Sequence, residues 1–442
     1  MKKVAFLVLK NFRQSGYSND SFDGMNPFAE YVLKDTLERA GYSPEFCSVD
    51  TASNYDVVLV SLRSTPQYFA FLKAALRKWK HRDFQVIVGG QGLFHPAPLW
   101  EVADYFWYGR AENEITSIVE DIESFSNHWL KSGEKRRVQK CQSKKCYSHE
   151  IVLPSGRKFQ VPFIGCPNKC YYCCYSWGHR QVGKGFVLDI GSERGRKTQV
   201  EIDFRRIEDF VGVGTFFLTG LDGLTEEVRY SVNRRISDMD VVNGILHLSR
   251  LSEKNGVTPI LKLFHIVGLE GSTIDDWNSF QQNILVPVSQ KLTSDFYLNM
   301  QVTPFEPMPT TPSQWSPPCV SDKRVGFFRE YSGFDNSGHL KLVINRGIMS
   351  AASKVEDVSV TRFSEKYREM IYAIALNPKY RALKAFQKYV LLENRWGVDD
   401  LIRRYDVEEK PPCWFIEGIV PFEGLQKLRK QQIRRFPWIL QK

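Results

Sequence analysis

The chain has 442 residues, of which 43% are hydrophobic and 25% are charged, the proportions of an ordinary globular protein with two or three domains. No apolar run approaches the roughly 20 residues that a bilayer span needs, and the amino terminus has no signal-peptide core, so we expect a cytoplasmic protein without a membrane partner. A formal net charge of +10 favours a polyanionic partner, and an odd number of cysteines, nine, argues against a secreted disulfide scaffold.

Residues 1–127 alternate short apolar runs with amphipathic stretches. The runs at 4–9, 57–60, 86–88 and 103–109 predict buried strands, and the stretches 27–40, 68–80 and 112–125 predict helices. This alternation predicts a doubly wound α/β domain built around a parallel sheet. Gly89, Gly90 and Gly92 directly follow a strand, and they indicate either a ligand-binding edge of the sheet or a tight strand-to-helix turn.

Residues 128–163 predict a basic linker followed by a small hairpin. The stretch 131–145 contains one acidic residue, Glu134, and the basic residues Lys131, Lys135, Arg136, Arg137, Lys140, Lys144 and Lys145. This density is typical either of a solvated linker or of an arm that follows a phosphate backbone. Alternating residues from 149 to 161, around a turn at 154–156, predict the hairpin.

Four cysteines stand within nine positions, at Cys166, Cys170, Cys173 and Cys174. The C-x3-C-x2-C spacing of the first three would let one short loop offer three thiolates to an iron–sulfur cube and leave the fourth iron open. A zinc knuckle, a disulfide and packed thiols are the alternatives. Zinc sites usually add a second ligand pair, which does not follow at a zinc spacing here. Cys174 is interpreted as a bystander.

This motif, with Tyr172 before the third cysteine, resembles that of the radical S-adenosylmethionine (SAM) superfamily. The resemblance implies a 4Fe-4S cluster on Cys166, Cys170 and Cys173, with Tyr172 among the cofactor-binding residues. It also implies that SAM binds the open iron, that one electron cleaves it to a 5′-deoxyadenosyl radical, and that a donor such as flavodoxin or ferredoxin supplies the electron.

Residues 164–318 repeat a unit of apolar strand, polar glycine-bearing turn and helix. The strands are predicted at 215–220, 262–268 and 296–302, which indicates a full or partial (β/α) barrel. The run 215–220 is either the fourth strand of an abbreviated barrel or its second strand. By the same resemblance, the SAM-binding residues are Gly220, Asp222, Arg229, Gly268 and Glu270. Ordinary turn and cap roles remain open for them, since Asp222 is a good helix cap.

The amino-terminal region resembles the cobalamin-binding-type domain that precedes the radical SAM core in a large subgroup of the superfamily. The stretches 86–90 and 103–112 carry this resemblance. The D-x-H-x-x-G motif, whose histidine coordinates cobalt in that family, does not occur in the sequence. Cobalamin is therefore a possible cofactor rather than an expected one.

Residues 319–442 predict a strand at 340–345 and a mainly helical region over 364–405. The tail is basic and interleaved with Phe436 and Trp438, and its cations are Lys427, Arg429, Lys430, Arg434, Arg435 and Lys442. A solvated basic helix and a surface that stacks nucleic-acid bases are both compatible with this pattern.

The sequence therefore predicts an α/β enzyme with a Rossmann-like domain (1–127), a linker (128–163), a partial radical SAM barrel (164–318) and a basic, mainly helical region (319–442). Its predicted substrate is a nucleobase or base-linked group in a nucleic acid or nucleotide. An isomerase or tailoring enzyme of DNA base hypermodification, in a host cytoplasm if viral, fits by analogy. The alternatives are a cobalamin-dependent radical SAM methyltransferase acting on a peptide or natural product, and a metal-stabilised nucleic-acid-binding protein.

Overall fold

The structure is a computed structural model. It describes residues 1–9, 28–125, 127–153, 158–159, 161, 163–166, 168–183, 189–190, 199–209, 215–319, 334–336, 338–346, 351–383 and 385–440. Within these ranges, none of the helices has both the length and the apolar character that a membrane crossing requires.

The first sheet has six strands in the order β2-β1-β3-β4-β5-β6. Its strands are β1 (Val4–Leu7), β2 (Glu45–Cys47), β3 (Val57–Ser61), β4 (Gln85–Gly89), β5 (Tyr105–Trp107) and β6 (Trp129–Lys131). All neighbours are parallel except β6, which is antiparallel to β5. The helices are α1 (Phe28–Arg39), α2 (Thr65–Lys78) and α3 (Ile115–Asp121). The doubly wound α/β domain is confirmed, because continuous apolar runs such as 57–60 are buried on both faces of the sheet.

Gly90 and Gly92, after β4, lie against the loop that follows β3. A Cβ added at Gly90 would be 2.3 Å from the Leu62 carbonyl oxygen, and one added at Gly92 would be 2.5 Å from the Ser64 nitrogen. Gly90 also has a φ of 98°, which few other residues adopt. The close approach of these two loops accounts for both glycines.

The second sheet has the order β12-β13-β14-β15-β16-β17. Its strands are β12 (Asp189–Ile190), β13 (Gln199–Glu201), β14 (Phe216–Asp222), β15 (Ile260–Val267), β16 (Phe296–Pro304) and β17 (Leu340–Arg346). Only β12 is antiparallel to its neighbour, so β14 is the second of five parallel strands. The described residues form an open sheet, which confirms the prediction of a partial barrel.

Helices cover one face of this second sheet. They are α5 (Glu226–Ser231), α6 (Asp238–Lys254), α7 (Asp275–Phe280) and α8 (Val286–Lys291), with a π-helical turn at Gln281–Leu285 between the last two. A capping box formed by Ser237 and Asp240 starts α6. Along β15, buried and part-exposed residues alternate, since Leu261 and Leu263 pack on the helices while Lys262 and Phe264 point to the opposite, concave face.

Several short strands connect the two sheets. They are β7 (Val138–Gln139), β8 (Ile151–Val152), β9 (Lys158–Phe159), β10 (Phe163–Ile164) and β11 (Val182–Gly183). The antiparallel pair β8 and β9 confirms the predicted hairpin, whose turn at 154–157 lies outside the described residues. Strands β10 and β11 also pair, and the cysteine motif and helix α4 (Cys174–Gly178) lie between them.

The carboxyl-terminal region is mainly helical, as predicted. It contains α9 (Ala351–Thr361), α10 (Arg368–Leu376), α11 (Pro378–Ala382), α12 (Ala385–Trp396), α13 (Asp399–Ile402) and α14 (Phe422–Arg435), and the strand β18 (Ile416–Glu417), which pairs with β7. Helix α10 packs on α2, and Val355 and Ile371 belong to the same core as Val58 and Val86 of the first sheet. The division into four domains stays a prediction.

Candidate metal and cofactor site

The cluster loop, of which residues 164–166 and 168–173 are described, is fixed to the second sheet by hydrogen bonds to its backbone. The Tyr171 amide donates to the Val232 carbonyl at 2.9 Å. The Asn233 side-chain amide donates to the carbonyls of Asn168 and Lys169 at 3.2 and 3.0 Å. Val232 and Asn233 directly follow α5, the helix after β14. The next residue, Arg234, pairs with Asp222 at the end of β14, so the loop lies at the carboxyl end of the parallel strands, where ligands bind in open α/β sheets.

The three predicted thiols differ in exposure. Cys170 is 4% exposed, and burial raises the pKa of its thiol to about 12, whereas Cys166 and Cys173 are partly exposed. The Cys173 amide donates to the Cys170 carbonyl at 3.1 Å, which makes a tight turn between them. Burial lowers the pKa of Lys169, and the thiols of Cys166 and Cys173 oppose this shift, so the ammonium lies within electrostatic range of both.

The donor set has the chemistry that an iron–sulfur cube needs. All nine cysteines of the chain are free thiols. In the described residues, which include Cys166, Cys170 and Cys173, no group of three or more His, Cys, Asp or Glu side chains is placed so that it could hold a metal ion, so the structure does not bring the three thiols into a ligating arrangement. The number of thiols and their spacing on one short loop still suit a cube that leaves one iron open. Whether Cys166, Cys170 and Cys173 are the ligands stays a prediction.

Asp222, the last residue of β14, joins the cluster loop to the sheet. A β-bulge after Gly220 and a φ of 70° turn Asp222 out of the strand. Its carboxylate accepts a hydrogen bond from the Tyr172 hydroxyl and lies 3.1 Å from Arg234 Nε. Burial raises the pKa of Asp222 and Arg234 opposes the rise. The predicted residues Tyr172 and Asp222 are thus brought together, and Gly220 joins them because its carbonyl accepts from Arg234 Nη2 at 2.7 Å.

His265 supports the backbone of the same strand end. Its Nδ1 donates to the Asp222 carbonyl at 2.6 Å, and burial lowers the pKa of the imidazole to about 4, so the ring is neutral near pH 7. His265 and Arg234 were both missed by the sequence reasoning. The only available signal was position, since His265 lies within a predicted strand and Arg234 comes shortly after the predicted Asp222 turn.

Arg229 has a different environment from the one predicted. Its guanidinium is fully buried and donates to the carbonyls of Gly223, Leu224 and Ile236 at 2.7 to 3.1 Å, and it pairs with Asp238. These bonds hold the turn after β14 against the start of α6. Arg229 is thus occupied by the protein itself, and a contact with SAM stays a prediction.

Gly268 and Glu270, after β15, lie in a second strand-end turn. A Cβ added at Gly268 would be 2.5 Å from Cys319 Sγ. The Glu270 carboxylate is 6% exposed, lies 3.2 Å from Arg404 Nε and 2.5 Å from Arg429 Nη2, and accepts from Ser316 Oγ at 2.9 Å. Both residues therefore contribute to packing of the carboxyl-terminal region, and their SAM-binding roles stay predictions.

The two basic segments are partly neutralised within the chain. In the linker, Arg137 lies 2.7 Å from Glu423 and 3.3 Å from Glu417. In the tail, Arg429 is 1% exposed and pairs with Glu270. The tail residues that are exposed to solvent include Lys427, Arg434 and Arg435. The surface available to a polyanion is therefore smaller than the residue count suggests, and nucleic-acid binding stays a prediction.

A scan with protein-family models finds no match, and a search of the curated proteins finds none. Among solved structures, the chain is similar to the radical SAM methyltransferase TsrM from Kitasatospora setae with cobalamin and a 4Fe-4S cluster bound, at 12% identity over 98% of this chain and 99% of that chain, with a TM-score of 0.49. TsrM with tryptophan substrate and a SAM analogue bound aligns at 12% identity over 85% of this chain and 90% of that chain, with a TM-score of 0.48.

The cobalamin-dependent SAM radical enzyme OxsB with aqua-cobalamin bound aligns at 10% identity over 100% of this chain and 56% of that chain, with a TM-score of 0.23. These proteins are radical SAM enzymes, the superfamily that the cysteine motif resembles. Identities this low and TM-scores below 0.5 carry no argument about function. The function is therefore argued from the residues of the chain itself.

Proposed function

We propose that the chain is a radical SAM enzyme with a 4Fe-4S cluster on Cys166, Cys170 and Cys173. The observation that carries this proposal is the position of the three thiols, on a loop fixed to the carboxyl end of parallel strands. When bound, such a cluster supplies the electron that cleaves SAM to a 5′-deoxyadenosyl radical. An external protein donor such as a flavodoxin or ferredoxin would deliver that electron.

The residues around the loop have properties that suit a cofactor and substrate site. The buried Asp222 and Arg234 hold Tyr172, and hence the loop, in one orientation. The concave face of the second sheet offers part-exposed side chains next to this strand end. They are Lys262 and Phe264 of β15 and Asn299 and Gln301 of β16. A face with amide, ammonium and aromatic groups could orient a polar planar substrate beside the cofactor.

We further propose that the substrate is a nucleobase or a group attached to one, and that the reaction is an isomerisation or another modification of a substrate carbon. The net charge of +10 and the mixed polar and aromatic concave face support this substrate class. A base within a polymer would have to leave its stack to reach the strand end.

The proposal is tested by loading iron into the anaerobically purified chain. We expect about four irons per chain in the wild type and less than about one in Cys173→Ala. Cys174→Ala is the matched control, because it removes the neighbouring thiol, which is not a proposed ligand, and we expect it to load as the wild type does. Equal iron loss in both variants, or zinc in place of iron in the wild type, would contradict the assignment.

Activity is tested on the loaded chain with SAM and dithionite. The wild type and Cys174→Ala should release 5′-deoxyadenosine, and Cys173→Ala should release none. Adding DNA, RNA, free nucleosides or peptides in separate reactions tests the substrate class, since the true class should raise turnover above the substrate-free rate. If peptides alone raise it, the nucleobase proposal is wrong while the radical SAM proposal stands.

A cobalamin-dependent radical SAM methyltransferase acting on a peptide or natural product is the second candidate. The strand order of the first sheet favours it, because 2-1-3-4-5 is the flavodoxin-like order, in which a cofactor binds at the carboxyl end between β1 and β3. Gel filtration of the reconstituted chain with hydroxocobalamin separates the candidates. Co-elution of the corrin absorbance with the protein supports the methyltransferase, and its absence from the protein peak contradicts it.

A further inference from the structure

A cavity of about 360 Å³ lies between the first sheet and the carboxyl-terminal region, apart from the cluster loop. It opens among the loop after β4, the segment before β7 and two parts of the carboxyl-terminal region. The residues that characterise this basic–aromatic pocket are His95, Trp100, Lys135, Phe363, Trp414 and Phe415. Its volume lies within the range of small-molecule sites, roughly 300–1,000 Å³.

Aromatic rings form much of the wall of the basic–aromatic pocket. The His95 ring lies 4.8 Å from the Phe363 ring and 5.2 Å from the Phe415 ring, measured between centroids. Desolvation, with smaller contributions from Arg368 and Lys135, lowers the pKa of His95 to about 3, so this ring is neutral. The two indoles carry cations, since Lys135 and Arg368 lie 5.5 and 5.6 Å from the Trp100 centroid, and Arg137 and Lys410 lie 5.0 and 4.3 Å from the Trp414 centroid. The wall is thus an aromatic surface bordered by positive charge, which suits a flat ring that bears a negative charge.

Two hydrogen-bond donors in the wall have no protein acceptor. The indole Nε1 of Trp100 is buried and has no hydrogen-bond partner. The ammonium of Lys135 lies 5.5 Å from the centroid of the same indole, and in the described part of the chain no acceptor or carboxylate pairs with it. A buried donor left without a partner costs about 1–3 kcal/mol, which applies to the Trp100 indole. Lys135 is exposed to solvent and supplies a positive charge rather than an unsatisfied buried donor.

The carboxylates of the pocket, by contrast, already accept hydrogen bonds from arginines of the chain. Glu134 accepts from Arg136 Nε at 2.5 Å. Both oxygens of Glu365 accept from Arg368, at 2.9 and 3.2 Å. The pocket therefore offers free donors and one free positive charge, and its negative charges are neutralised by arginines within the chain.

We propose that the basic–aromatic pocket binds a planar aromatic anion, a ring that carries one phosphate or carboxylate. The aromatic wall receives the ring, Lys135 pairs with the anionic group, and Trp100 Nε1 donates to an acceptor of the ligand. A free nucleotide and an aromatic carboxylic acid share this chemistry. The proposal does not depend on iron or SAM, so it can fail or succeed independently of the proposed enzyme activity.

Isothermal titration calorimetry of the full chain without cluster tests the proposal. The probes are adenosine 5′-monophosphate and indole-3-acetate, with adenosine as the neutral counterpart of the first and tryptamine as the cationic counterpart of the second. We expect one of the anions to bind with a Kd below about 1 mM and at least about tenfold more tightly than its counterpart. Binding by neither anion, or equal binding by anion and counterpart, overturns the proposal.

Two variants then locate the ligand. Lys135→Ala should weaken binding of the anion about fivefold, the effect of losing one solvent-exposed ion pair. Trp100→Phe keeps a ring and removes only the indole donor, and it should weaken binding about five- to tenfold. Lys427→Ala, on the exposed surface of α14, is the matched control and should bind as the wild type does. An anion that binds both pocket variants as tightly as this control overturns the assignment.

Discussion

The two sheets differ in how much of each strand is buried. In β3 of the first sheet, the four consecutive residues Val57–Val60 are all less than 7% exposed. Helices from the amino-terminal and the carboxyl-terminal parts of the chain both cover this sheet. In β16 of the second sheet, Leu298 is fully buried while its neighbour Tyr297 is 41% exposed. The first sheet is therefore a scaffold, whereas the face of the second sheet opposite its helices keeps part-exposed side chains in the described residues, beside the cluster loop.

Their ion pairs differ in the same way. At the carboxyl end of β14, Asp222 and Arg234 are each about nine-tenths buried, and the pair lies 3.1 Å apart. Just before β4 and β5 of the first sheet, Arg82 and Asp104 pair at 2.7 Å with the carboxylate 39% exposed. A buried pair stores more free energy of interaction, and losing one partner leaves a desolvated charge. This contrast gives the prediction with the largest effect.

Arg234→Met should lower the free energy of unfolding by about 3–5 kcal/mol at pH 7, because it leaves the Asp222 carboxylate buried without a counterion. Arg82→Met in the first sheet is the control and should cost under about 1 kcal/mol. Urea unfolding followed by circular dichroism measures both. Equal losses in the two variants would mean that the strand end of the second sheet is more hydrated than the structure indicates.

The loss of unfolding free energy in Arg234→Met should also depend on pH. Burial raises the pKa of Asp222 in the folded chain, and removing Arg234, which opposes that rise, raises it further. A raised carboxyl pKa favours the folded state where the group is protonated, and this advantage is lost as pH rises through the folded-state pKa. The free energy of unfolding of the variant should therefore approach that of the wild type as the pH falls from 7 toward 4. A difference in stability that grows over this window contradicts the assignment.

The second prediction concerns the two faces of β16. Leu298→Ala should lower the free energy of unfolding by about 2–4 kcal/mol, since it leaves a cavity against the helices. Tyr297→Ala, on the exposed face, should lower it by less than about 1 kcal/mol. Thermal and urea unfolding of both variants measure the difference. A large loss in Tyr297→Ala would show that the concave face is packed in solution rather than free.

The sequence predicted the features that local pattern determines. The apolar runs of β3 and β15 predicted strands of the two sheets, and the cysteine spacing predicted the cluster loop. It did not predict β13, where Gln199 and Glu201 flank a single apolar residue, nor the packing of α10 on α2, which joins residues far apart in the chain. Such contacts depend on the whole fold.

The same limit applied to the site residues. Arg229 and Arg234 lie five residues apart, and the sequence favoured the first. The structure places Arg229 among carbonyl groups and Arg234 on Asp222, because the chain reverses at Asn233, whose φ is 61°. A pattern of residue types cannot distinguish two arginines on either side of such a turn, since their environments are set by the reversal itself.

The last prediction concerns the hydrogen bond between the cluster loop and the second sheet. Tyr172→Phe removes the hydroxyl that donates to Asp222 and keeps the ring, so it should lower the free energy of unfolding by about 1–2 kcal/mol. Tyr297→Phe, on the exposed face of β16, is the control and should change it by less than about 0.5 kcal/mol. If Tyr172 also positions the loop for iron, its variant should load iron more slowly than the control. Normal loading together with reduced stability would limit Tyr172 to a role in folding.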